Sequence, residues 1–134
     1  MRTILVAECD AMRRTEIMAL FDRCYSVIAA SSSGEMLALI EKIHPAAVLV
    51  GQGFAGDETL LVIEKTVAVS PRLCVIVLSE SGDMDFAVNA LKAGAVTVIT
   101  GLPGRDVLYS AVAGKVPPED GASFGDMPWR IKNR

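Results

Sequence analysis

Short, nearly continuous apolar runs alternate along the chain with stretches whose apolar residues recur every third or fourth position. "RTILVA" at 2–7 is such a run with β-branched content, which predicts a strand buried on both faces. The pattern returns as "YSVIAA" (25–30), "AAVLV" (46–50), "LCVIVL" (73–78) and "VTVIT" (96–100). The stretches between them read as helices. Ile17, Leu20, Phe21 and Cys24 fall at helical spacing in a helix over about 11–23, and Asp10 is placed to cap it. "SSSGEMLALIEKI" opens on cap residues, puts Met36, Ile40 and Ile43 on one face, and is stopped by Pro45. A third helix starts at Asp57 or its neighbours, contains Leu60, Leu61 and Ile63, and closes before Pro71. The fourth begins with acids, carries Phe86, Ala87, Ala90 and Leu91 on one helical face, and stops at Gly94. A last helix covers 104–114.

Strand and helix alternate with short connections, which predicts a five-stranded, doubly wound parallel sheet of the α/β class. Ligands in such sheets bind beyond the carboxyl ends of the strands. That directs attention to Glu8–Asp10, Gly51–Gly53, Ser79–Ser81 and Thr100–Pro103. Residues 1–114 form one predicted domain. Residues 115–134, rich in proline, glycine and charge and without periodicity, read as a linker or tail in which Trp129 is the anchor candidate.

Composition narrows the options. A chain of 134 residues suits a single hydrophobic core, and 51% apolar residues fits a sheet covered on both sides. No apolar stretch reaches the roughly 18–20 residues of a membrane span, and the N-terminus lacks a secretory pattern, so a cytoplasmic location is expected. A net charge of −3 without a basic stripe argues against direct nucleic-acid binding. The cysteines, Cys9, Cys24 and Cys74, lack metal spacing, and Cys74 reads as a small core residue. His44 has no second histidine with which to share a metal and reads as a solvated turn residue.

"GQGFAG" at 51–56 matches the glycine fingerprint of dinucleotide sites, between a strand and a helix. Three features oppose that reading. The fingerprint belongs to a first strand–helix turn, and this one follows the third strand. Asp57 and Glu58 place negative charge at the helix start, where a pyrophosphate would sit. The lysine and hydroxyl of a phosphate loop are also missing after the last glycine. No nucleotide cofactor is expected.

"RTILVAECDAMRR", "HPAAVLVGQGF" and "CVIVLSESGDMDFAVNALKAGAVTVI" together resemble the receiver domain of two-component response regulators, over residues 2 to about 114. "AVAGKVPPE" is similar to the end of receivers that lead into a helix-turn-helix output module. The resemblance implies a flavodoxin-like (βα)5 fold that signals through its surfaces in a phosphorelay. It also implies a site this chain has largely lost. The phosphoacceptor aspartate at the end of the third strand falls on Gly51, which has no nucleophile. The acidic pair that helps hold Mg²⁺ falls on Glu8 and Cys9, with Asp10 following as a vestigial ligand or a cap. The hydroxyl after the fourth strand is kept as Ser79, the lysine after the fifth falls on Gly101, and the aromatic switch position is Val98.

The expectation is a degenerate, pseudo-receiver form: a non-enzymatic module without a phosphoryl switch, with Mg²⁺ binding lost or very weak. It would act through protein partners, a second copy of itself among them, on the face of the fourth helix, fifth strand and fifth helix. Lys92, Val98, Arg105, Asp106 and Tyr109 are the candidates there, with Trp129 beyond. The domain would serve as a stand-alone adaptor or as the regulatory part of a DNA-binding transcription regulator. Three alternatives remain open. A small-molecule or anion sensor would use a vacated pocket lined by Glu8, Cys9, Gly51, Gly53, Ser79 and Gly101. A displaced phosphoacceptor would fall on Asp57, and redox sensing on Cys9.

Overall fold

Alternation within each apolar run decides the architecture. In the computed structural model, which describes residues 2–21, 25–79, 83–101 and 104–115, the runs form five parallel strands in one sheet. They are β1 (Arg2–Ala7), β2 (Tyr25–Ala30), β3 (Ala47–Gly51), β4 (Cys74–Ser79) and β5 (Thr97–Thr100), in the spatial order β2-β1-β3-β4-β5. The helices are α1 (Ala11–Leu20), α2 (Ser33–Ile43), α3 (Thr59–Val69), α4 (Met84–Ala93) and α5 (Arg105–Lys115). This is the flavodoxin-like doubly wound arrangement the pattern predicts.

Successive strand side chains point to opposite faces. Leu5, Ala7, Val48, Val50, Val75 and Val77 face one core, which α2, α3 and α4 complete through Met36, Ile40, Val62, Ile63 and Ala90. Ile4, Val6, Ala47, Leu49, Ile76 and Leu78 face the other, closed by Ile17 and Phe21 of α1 and Leu108 and Val112 of α5. Cys74 is fully buried in this second core, as expected of a small apolar residue.

The helix ends follow local chemistry. The Asp10 carboxylate accepts from the Met12 and Arg13 backbone N–H groups at 3.0 and 3.3 Å, so it is the α1 cap. His44 is exposed and closes α2 in the left-handed region, with φ 49°. The start of α3 differs from expectation. A 3₁₀ turn at Gly56–Glu58 comes first, and α3 begins at Thr59. Thr59 explains the shift: its hydroxyl donates to the Gly56 carbonyl and accepts from the Ala55 N–H, both at 3.0 Å, which fastens the turn ahead of the helix. Helix α1 ends at Leu20, short of the expected residue 23, and Cys24 lies outside the described residues.

Two packing expectations are corrected. Leu91 does not face inward but is 49% exposed. The inner stripe of α4 is Phe86, Ala90 and Ala93, four and three residues apart, and Leu91 lies one helical step around from it. Tyr109 is not a free surface ring. It stacks on Phe21 with centroids 5.4 Å apart and meets the edge of Tyr25 at 5.6 Å, tying α5 to α1 and β2.

Candidate functional site

The sheet order reverses between β1 and β3, and this switch point is where doubly wound sheets build sites. Register brings the expected residues together. Ala7 pairs with Val50, so the next residues, Glu8 and Gly51, leave adjacent strands side by side. Gly51 pairs with Leu78, and Ser79 pairs with Thr100. The ends of β1, β3, β4 and β5 therefore converge.

Glu8 dominates the corner. It is 5% exposed, and its carboxylate turns toward Gly51. A Cβ built on Gly51 would collide with Glu8 Oε1 and lie 2.7 Å from Glu8 Cδ, far inside contact distance. Glycine at position 51 is thus a condition for the Glu8 side chain to lie where it does. The carboxylate accepts from the Asp10 N–H at 3.2 Å and from the Cys9 thiol at 3.8 Å. Arg13 Nε stands 3.9 Å from its other oxygen. Arg14 reaches the same residue differently, donating from Nη1 to the Glu8 carbonyl at 3.0 Å.

The remaining candidates are also engaged. Cys9 is exposed, and its single S–H lies between two acceptors, the Gly53 carbonyl at 3.3 Å and Glu8 Oε2 at 3.8 Å. Ser79 is buried and shares a 3.3 Å hydroxyl–hydroxyl hydrogen bond with Thr100. The Gly101 N–H donates to the Ser79 carbonyl at 3.0 Å, which closes the β4–β5 end. Across the loop mouth, Gln52 Nε2 donates to the Asp83 carboxylate at 2.6 Å, and Asp83 in turn caps α4 through the Phe86 N–H.

Beside Gly51, the Glu8 carboxylate lies where a side chain at position 51 would begin. A separate cleft of about 390 Å³ lies to one side, lined by Gln52, Gly53, Gly56, Asp57, Thr59, Leu60 and Phe86, and only Gly53 belongs to the expected pocket. Asp57 is exposed on the cleft rim in the 3₁₀ turn. Among the described residues, no three His, Cys, Asp or Glu side chains converge as a metal-binding group.

The expected interaction face divides in two. Lys92 and Asp106 are exposed. Arg105 donates from Nε to the Leu20 carbonyl at 3.1 Å, Val98 packs on the α2–α4 side, and Tyr109 belongs to the aromatic cluster. Trp129 lies outside the described residues. What the sequence reading missed is the outer stripe of α4, where Met84, Val88 and Leu91 are 72%, 45% and 49% exposed. Their spacing of four and three residues carries the signal, of which the sequence reading named only Leu91, grouped with Phe86, Ala87 and Ala90. No described helix is long and apolar enough to cross a membrane.

No protein-family model matches the sequence, and no curated protein matches it either. Solved structures do. A response regulator receiver domain protein from Clostridium thermocellum superposes with a TM-score of 0.78 at 23% identity, covering 86% of this chain and 94% of that one. A CheY-like receiver domain protein from Methanospirillum hungatei gives 0.77 at 22% identity, covering 86% and 93%. NtrX from Brucella abortus gives 0.76 at 23% identity over 85% of this chain but only 27% of its own. The polypeptide thus has the fold of response regulator receiver domains, occurring in one case as a whole chain and in another as part of a longer one.

Proposed function

We propose that this domain is a receiver-like signalling module of a two-component or phosphorelay system that takes no phosphoryl group at the usual third-strand position. It performs no catalytic step and acts through protein contacts, alone or as the regulatory part of a DNA-binding regulator. The observation that carries this reading is the Glu8 carboxylate lying where any side chain at position 51 would begin. Position 51 has no side chain to carry an acceptor carboxylate, and the Glu8 carboxylate lies where one would begin.

The donor set supports loss of Mg²⁺ as well. The ion demands several hard oxygens in near-octahedral array. Here one buried carboxylate is present, with a guanidinium nitrogen 3.9 Å from it, a thiol at position 9 and an Asp10 carboxylate engaged as a helix cap. These residues do not fit the ion. The contact surface is assigned to the outer side of α4, where Met84, Val88 and Leu91 present apolar area beside Lys92.

Incubation with acetyl phosphate and Mg²⁺ is expected to leave the intact mass unchanged. Thermal midpoints measured with and without Mg²⁺ plus beryllofluoride are expected to coincide. A phosphoryl adduct mapped to the site, or a clear rise of the midpoint with both reagents, overturns the reading.

A further inference from the structure

A carboxylate that is 5% exposed needs compensation, because an unpaired buried charge costs several kcal/mol. At this corner the compensation comes from the chain itself. Asp10 caps α1 and so sets Arg13 in the first helical turn, directly above the end of β1. Arg13 Nε is buried, makes no hydrogen bond among the described residues, and has the Glu8 carboxylate 3.9 Å away. The pairing therefore acts through charge, with the Arg13 side chain still 27% exposed. Arg14, one residue on, is committed to the Glu8 carbonyl instead.

We propose that Glu8 and Arg13 form a built-in occupant of the switch-point corner. The carboxylate fills the volume that a side chain at position 51 would need. The guanidinium holds it there by supplying the positive charge that a metal ion would otherwise bring. Gly51 is then a fitted residue whose missing side chain admits Glu8. This inference rests on packing and charge, and it holds whether or not another residue accepts a phosphoryl group.

Two sets of variants test it, read by thermal midpoint. Gly51→Ala is expected to lower the midpoint by on the order of 5 °C, because the new Cβ must displace Glu8. Made in a Glu8→Ala background, the same change is expected to cost little. An equal penalty in both backgrounds shows that Glu8 does not fill the corner. Arg13→Gln is expected to lower the midpoint in the parent chain but not in a Glu8→Gln background, and Arg13→Lys is expected to keep most of the parent value. An Arg13→Gln effect that is absent, or that is the same with and without the Glu8 charge, overturns the charge-holding role. The arginine series stays readable even if Gly51→Ala fails to fold, and a failed phosphorylation reading would appear in the intact mass and not in these midpoints.

Discussion

Single residues here do more than their type announces. Glu8 was recognisable in the sequence as the surviving acid of a lost pair, but its direction was not. That depends on the Ala7–Val50 register and on a missing Cβ across the strand gap, both tertiary facts. Gly94 shows the same division. Its place after an apolar helical face marks it as a helix stop, and it does end α4, at φ 119°. A second constraint was invisible: a Cβ at 94 would lie 2.8 Å from Val67 Cγ2, because α3 packs against α4. Gly94→Ala therefore meets both backbone strain and overpacking, and a loss of roughly 2–3 kcal/mol in urea unfolding is expected. Adding Val67→Ala should relieve the clash and leave the strain, so the two changes will not be additive. Additive losses would mean that the contact carries none of the cost.

At the scale of the element, the start of α2 was the most legible feature and the start of α3 the least. "SSSGE" reads as a cap sequence, and Ser32 Oγ indeed accepts from the Glu35 N–H at 3.1 Å while Glu35 Oε1 accepts from the Ser31 N–H at 2.6 Å and its hydroxyl at 2.9 Å. At α3 the acids Asp57 and Glu58 looked like the opening residues, but the hydroxyl of Thr59 held a 3₁₀ turn in front of the helix. A propensity argument does not see such a side-chain bond. Ser32→Ala is expected to cost about 1 kcal/mol. Glu35 adds a pH dependence whose sign is fixed. The hydrogen bonds from the Ser31 backbone, then from its hydroxyl, hold the Glu35 carboxyl below its ordinary value of 4.5. A depressed folded-state value stabilises above the unfolded value and fades as pH falls through the folded one. The stability difference between the parent and Glu35→Gln should accordingly be present at neutral pH and vanish in acid. A difference that grows on acidification would contradict the assignment of these bonds to the Glu35 carboxylate.

At the scale of the whole molecule, the five apolar runs were legible as strands buried on both faces, while the division of their residues between two cores came from the structure. The surface was harder to read, because exposure on an outer helix depends on which neighbour covers it. Tyr109 looked like a surface anchor by residue type, yet the end of α1 and the start of β2 come round to sandwich it. Leu91 looked like core, yet among the described residues it is 49% exposed and joins Met84 and Val88 in an apolar line facing outward. The two residues should therefore exchange the behaviour their types suggest. Tyr109→Ala removes a stacked ring and is expected to cost about 2–4 kcal/mol of stability. Val88→Lys together with Leu91→Lys should move stability by no more than about 0.5 kcal/mol each, since both side chains already meet solvent. If α4 is the contact face, the lysine pair also abolishes any concentration-dependent self-association in sedimentation equilibrium, while Tyr109→Ala lowers the unfolding midpoint first. Self-association that survives both lysines would move the contact surface off α4.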